Sequence, residues 1–201
     1  MLTVHNLKKS YDLQVLFENV SFALNQGERI GLVGPNGCGK TTFLRTAAGQ
    51  VQPLAGKVRL GSNVRLGCMS QEQEDLDPML SPLQAVACIF SQNETEVRSF
   101  LSKFLFKGDD VFTPAGKLSY GERARLSLAL LAAQDCNLLM LDEPINHLDI
   151  PARTSFKQAL SAFEGTILAV VHDRFFIEEF ATEIWDVKGL QINVVRLFET
   201  F

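Results

Sequence analysis

The sequence predicts an α/β fold with a largely parallel central sheet, an antiparallel β edge and a small helical insert. Three observations carry this. Short apolar strands alternate with helical patterns along most of the chain, the order that packs helices on a parallel sheet. The run Asn137-Leu138-Leu139-Met140-Leu141 is nearly continuously apolar, as in strands buried on both faces. A glycine-rich loop from Gly34 to Gly39 joins the strand Arg29-Ile30-Gly31-Leu32-Val33 directly to a helix.

Taken in order, Leu2 to Leu7 and Val15 to Leu24 read as strands of the β edge, closed by the turn at Gln26-Gly27. After the strand 29–33, a helix runs from Gly39 to about Ala48. Lys57 to Leu60 and Val64 to Met69 are short strands separated by Gly61-Ser62-Asn63, residue types that favour turns. The pattern then becomes helical. Pro82-Leu83-Gln84-Ala85-Val86 opens one helix, and Glu94 to Phe106 forms another with Val97, Leu101, Phe104 and Leu105 at helical spacing. Residues 72–117 are expected to form a helical subdomain within one domain spanning 1–201.

Gly121 to Ala133 is a helix with Leu126, Ala129, Leu130 and Ala133 on one face. Asp149-Ile150-Pro151 starts the next helix, since proline suits the first helical position. That helix buries Phe156, Ala159, Leu160 and Phe163 and ends at Gly165. Thr166 to Val171 is a strand, Arg174 to Phe180 a short helix, and Glu183 to Val187 forms a terminal hairpin with Ile192 to Leu197.

Composition narrows the class. With 46% hydrophobic and 21% charged residues, the 201-residue chain is an ordinary globular protein and not a disordered one. Its net charge of −4 offers no electrostatic case for nucleic-acid binding, and no direct DNA binding is expected. No apolar run approaches the ~20 residues of a membrane span. The N-terminus does not read as a signal peptide, so a cytoplasmic protein is expected. Cys38, Cys68, Cys88 and Cys136 are scattered without a C-x-x-C pair, the pattern of reduced thiols.

Chemistry enters with Gly34-Pro35-Asn36-Gly37-Cys38-Gly39-Lys40-Thr41-Thr42, which fits G-x-x-x-x-G-K-[ST] between a strand and a helix. In that setting consecutive backbone N–H groups curl around a phosphate, and the helix N-terminus adds partial positive charge. Glycine is needed because a Cβ would block the turn and the close approach of backbone to ligand. Lys40 supplies a cation for the β/γ-phosphates, and the Thr41 hydroxyl is placed to ligate Mg²⁺. A bare connecting turn is the plainer alternative, but strand, loop and helix fall in the order that a nucleoside triphosphate site requires.

Leu141-Asp142-Glu143-Pro144 closes an apolar strand with two acids, the Walker B pattern. Asp142 is suited to hold Mg²⁺ through water, and Glu143 to act as the general base on the attacking water. Two surface acids ending a strand would be the unremarked alternative, but in a P-loop protein such a pair has few other uses.

Further segments resemble the ATP-binding cassette (ABC) ATPases over nearly the whole chain. Leu118-Ser119-Tyr120-Gly121-Glu122 is similar to their LSGGE signature, and Ser119 also reads simply as a helix N-cap. The resemblance implies that Ser119 and Gly121 face the γ-phosphate bound by a partner cassette. It further implies that Gln71 is the Q-loop glutamine reaching metal and water, and that His172 is the switch histidine at the γ-phosphate. Asn146-His147-Leu148-Asp149 would be the D-loop at the cassette interface, and Tyr11 would stack on adenine. ATP and Mg²⁺ are the implied cofactors, and a second cassette is the implied partner.

Asp142-Glu143-Pro144-Ile145-Asn146-His147-Leu148-Asp149-Ile150 and His172-Asp173-Arg174-Phe175-Phe176 resemble the corresponding segments of the ABC-F subfamily. Those are tandem ATPases, many of which act on the ribosome as translation or antibiotic-resistance factors. The chain is similar to a C-terminal cassette of such a protein. Three positions depart from the pattern. Tyr120 replaces a glycine, Ile145 replaces a threonine in what reads as a packing change, and Cys38 stands where Ser or Ala is common. Tyr120 bears on how the signature meets an opposing phosphate. Cys38 is either an inert small residue or a reactive thiol beside Lys40. A cassette subunit of an ABC transporter and a clamp that holds ATP without turnover are the rival readings.

Overall fold

The computed structural model describes residues 2–11, 14–69, 76–90, 93–146, 148–188 and 191–196. For Tyr11, Arg174, Phe175, Lys188 and residues 191–196 it describes the backbone alone. In chain order the elements are β1 (Leu2–Tyr11), β2 (Gln14–Leu24), β3 (Arg29–Val33), α1 (Lys40–Ala47), β4 (Ala55–Leu60) and β5 (Leu66–Met69). There follow α2 (Pro82–Ala87), α3 (Glu94–Lys103), α4 (Tyr120–Ala133), β6 (Leu138–Asp142) and α5 (Ile150–Ser161). The chain continues through β7 (Thr166–Val170), α6 (Arg174–Phe180), β8 (Glu183–Lys188) and β9 (Gln191–Arg196). Two 3₁₀ turns, Gly108–Phe112 and Ala115–Lys117, lead into α4.

The chain forms two compact units. The first comprises Met1–Cys68, Asn137–Glu143 and Gly165–Phe201. It contains an antiparallel three-stranded sheet in the order β2-β1-β4 and a six-stranded sheet in the order β5-β6-β7-β3-β8-β9. β6, β7, β3 and β8 run parallel, and β9 closes the edge antiparallel to β8. β6 and β7 are buried at every position, which is why their sequences are apolar without alternation.

β1 runs four residues past the expected end at Leu7. Its register with β2 shifts between Val4 and Leu7 and again after Leu7, and Asn6 takes a left-handed φ of 47° there. Asparagine tolerates that region, and its N–H donates to Ser21 Oγ at 2.8 Å. Each bulge interrupts the two-residue alternation, so Lys8 and Lys9 remain in the strand without looking like it.

The core of this unit fixes α1 beneath the antiparallel sheet. Phe43 of α1 is fully buried, edge-on to Phe17 of β2 with centroids 5.6 Å apart and tilted against Phe22 at 5.5 Å. Phe22 in turn meets Trp185 of β8 edge-on at 4.7 Å. Aromatic pairs of this kind add about 0.5–1.5 kcal/mol each beyond the area they bury.

The second unit comprises Met69–Cys136 and Pro144–Glu164. Residues 72–117 fall inside it, together with α4 and α5. α2, α3 and α4 each begin with a reciprocal capping box: Ser81 with Gln84, Asn93 with Glu96 and Ser119 with Glu122. α3 ends at Lys103, three residues short of the expected Phe106. Leu105 adopts φ 64°, and Arg125 of α4 donates to the Phe104 and Leu105 carbonyls at 3.2 and 2.9 Å. A cation from another helix thus satisfies two carbonyls just beyond the end of α3, which have no intrahelical partner.

Candidate functional site

The glycine-rich loop occupies the interval between β3 and α1, with Gly34, Asn36, Gly37 and Cys38 in the loop and Lys40, Thr41 and Thr42 in the first turn of the helix. Gly39 is the N-cap of α1, at φ 92° and ψ 15°. A side chain there would be strained in its backbone, and its Cβ would lie 3.1 Å from Leu16 Cβ. Lys40 is 5% exposed. Its ammonium donates to Gly34 O at 2.9 Å and Pro35 O at 2.8 Å, and Cys38 Sγ lies 3.9 Å away. The cation is thereby held inside the curl of the loop.

The next residue, Thr41, donates its hydroxyl to Asp142 Oδ1 at 3.0 Å. Asp142 ends β6 and is buried. Burial pushes its carboxyl above the ordinary value, and the Thr41 hydrogen bond opposes that. Glu143 raises it further, while Arg45 and Lys40 lower it.

Beyond Asp142 the chain turns sharply. Glu143 adopts φ 50° and its N–H donates to Val170 O at 3.0 Å. A left-handed glutamate is uncommon, and such strain of about 1–3 kcal/mol persists where the surroundings enforce it. The register of β6 with β7 pairs Asp142 with Val170. That register brings Glu143 alongside the residues after β7, and His172 Nε2 lies 3.1 Å from Glu143 Oε1. Both side chains keep partial access to solvent, 35% for the histidine and 21% for the glutamate.

The donor set suits magnesium. Among the described residues no group of three or more His, Cys, Asp or Glu side chains converges into an all-protein cage. A hydroxyl and a carboxylate at 3.0 Å match a small hard cation that keeps water and phosphate oxygens as its other ligands.

In the second unit, Ser119 caps α4. Its Oγ donates to Glu122 Oε2 at 2.7 Å and accepts from Glu122 N–H at 3.3 Å. Gly121 lies in the first turn of α4, against Ala152 of α5. Asp149 caps α5, with Oδ1 accepting from Ala152 N–H at 2.9 Å. Tyr120 is the first residue of α4, with the Arg123 guanidinium 5.9 Å from its ring centroid. Ile145 is 3% exposed. Gln71, His147 and the side chain of Tyr11 lie outside the described residues.

The sequence reading passed over Arg45 and the loop carbonyls of Gly34 and Pro35. Arg45 follows Thr41 by one helical turn, the spacing that sets side chains on one face, and its charge favours ionised Asp142. That spacing was visible in the sequence; the carbonyl partners of Lys40 were not.

The strand, phosphate loop and helix, with Thr41 meeting an aspartate at the tip of β6, define a P-loop nucleoside-triphosphatase fold. The family described as "ABC transporter" matches residues 17–146. The chain is 43% identical over 195 residues to YdiF of Bacillus subtilis (strain 168), covering 96% of this chain and 30% of that protein. It is 39% identical over 193 residues to the energy-dependent translational throttle protein EttA of Escherichia coli (strain K12), covering 94% and 35%. The fold superposes on a post-hydrolysis dimer of the ATP-binding cassette MJ0796 bound to ADP and Pi, with a TM-score of 0.79 and 19% identity over 98% of this chain and 99% of that one. This chain therefore belongs to the ABC transporter family of ATP-binding cassettes, close to the ABC-F proteins. It spans about a third of the length of the curated relatives it matches. Cassettes of this family bind ATP and Mg²⁺ and hydrolyse ATP. No helix among the described residues is long and apolar enough to cross a membrane.

Proposed function

We propose that this chain is an ATP-hydrolysing cassette that pairs head-to-tail with a second cassette in a cytoplasmic, ribosome-associated translation or antibiotic-resistance factor. Its two units are the core and the helical part of one nucleotide-binding domain. The observation that carries the reading is the pairing of Glu143 with His172 at 3.1 Å, in the same unit as the Thr41–Asp142 pair and the phosphate loop. The role in translation is supported by relatives named as translational throttle proteins.

Each residue then has a chemical task. The loop N–H groups from Asn36 to Thr42 and the Lys40 ammonium bind the β- and γ-phosphates, in exchange for the carbonyl contacts that Lys40 makes in this structure. Thr41 and Asp142 hold Mg²⁺, which supplies charge neutralisation to the transferred phosphoryl group when bound. Glu143 accepts the proton of the attacking water, and His172 orients its carboxylate. Ser119 and Gly121 of the paired cassette close on the γ-phosphate, Asp149 belongs to the interface, Gln71 reaches the water, and Tyr11 stacks on the base.

The test is Glu143→Gln protein assayed for turnover and, by light scattering after size exclusion, for ATP·Mg²⁺-dependent association. Removing a positioned base should slow turnover by ~10²–10⁴-fold while ATP binding persists. ATP should convert the variant to a dimer. Near-normal turnover would remove Glu143 from the mechanism. A monomer that still binds ATP would mean that the composite site is completed by a different cassette.

A further inference from the structure

The signature residue Gly121 stands where α4 and α5 touch. A Cβ placed on Gly121 would sit 2.6 Å from Ala152 Cβ, a distance side chains essentially never adopt and 0.8 Å short of the 3.4 Å at which ordinary contact begins. Leu148 Cδ2 would lie 3.6 Å from the same point, in ordinary van der Waals contact. Gly121 is two residues from the α4 cap Ser119, and Ala152 receives the cap of α5, donating its N–H to Asp149 Oδ1 at 2.9 Å. Each helix start is itself fixed. Glu122 closes the capping box on Ser119, and Arg153 Nε donates to Leu148 O at 2.9 Å. Backbone and methyl group are therefore in direct apposition, with no flexible side chain between them to absorb a change.

We propose that Ala152 is a positioning residue for the signature. Its methyl group seats on Gly121 and holds the Ser119 end of α4 and the Asp149 end of α5 as one block. Position 121 is then glycine because of Ala152, a constraint internal to the chain, in addition to any approach of a phosphate. This extends, and for its functional consequence rests on, the pairing of cassettes proposed above. Interiors are packed too tightly to absorb an added methyl here without shifting backbone. A displacement approaching 1 Å in a composite site can lower its function by ~10²-fold.

The experiment is a size-swap cycle in the full chain: Gly121→Ala, Ala152→Gly, and both together. The first readout is thermal unfolding of each protein without nucleotide, which does not depend on pairing. Gly121→Ala should lower the midpoint by several degrees, and adding Ala152→Gly should restore most of the loss. Additive losses would overturn the contact. The second readout is ATP·Mg²⁺-dependent association in the Glu143→Gln background. Gly121→Ala should weaken it by ~10–10²-fold with ATP binding to the monomer unchanged, and the swap should recover it. Recovered stability without recovered association would overturn the positioning role, because Gly121 would then be required by the opposing nucleotide directly. Absence of association in the Glu143→Gln parent would fail self-pairing alone, and the unfolding cycle would still decide the contact.

Discussion

Replacing Thr41 by valine should destabilise the nucleotide-free protein in a pH-dependent way. Valine keeps the shape of threonine but removes the hydroxyl that donates to Asp142 Oδ1 at 3.0 Å. Asp142 is 6% exposed, so water offers that oxygen little replacement. Leaving a buried acceptor without its donor costs about 1–3 kcal/mol, with the upper end expected for a charged group. For a chain of this size that is a fall in Tm of about 2–4 °C per kcal/mol. The sign with pH follows from the carboxyl. Burial raises it above its ordinary value of 3.8, and the Thr41 bond works against that rise. A raised folded value means stability that is whole below 3.8 and is lost as pH rises through the folded value. Removing the opposing bond raises the folded value further, so the deficit of the variant should be largest on the high-pH side of that value and should narrow as acidification protonates the carboxyl. Thermal unfolding in EDTA between pH 5 and 8, with Thr41→Ser as a control that keeps the hydroxyl, measures it. A variant as stable as the parent at pH 7, or a deficit that grows on acidification, would refute the reasoning.

Gly39→Ala should lose about 1–3 kcal/mol, read as a lower urea midpoint, because alanine would have to hold φ 92° with its Cβ 3.1 Å from Leu16. An unchanged midpoint would show that the loop can relax. Asp149→Ala should cost about 1 kcal/mol by removing the α5 cap, and Asp149→Asn should recover most of it. Equal losses in both variants, compared by urea unfolding, would mean that the aspartate acts through its charge and not as a cap.

Local patterns carried much of this molecule. The phosphate loop was legible because its residues are consecutive and each type answers a backbone need at its own position. The starts of α4 and α5 were legible for the same reason, since a cap and its N–H partner lie within one turn. Misjudged boundaries share a different cause. The part of β1 past Leu7 was hidden because bulges break alternation, and the early end of α3 because Arg125, more than twenty positions from the last residue of the helix, binds the carbonyls just beyond it.

The sequence by itself determined which chemical groups this protein carries: a P-loop lysine and threonine, an acidic pair ending an apolar strand, and a histidine after the next strand. Their meeting was decided by tertiary structure. Thr41 reaches Asp142 across 101 residues of chain, and Glu143 reaches His172 across 29, in the second case because the sheet pairs Asp142 with Val170. The left-handed turn at Glu143 and the seat of Gly121 on Ala152 belong to the same category. Strand register and helix packing are settled by the summed burial and hydrogen bonding of many residues, so no short stretch of sequence encodes the distance between two side chains that they bring together.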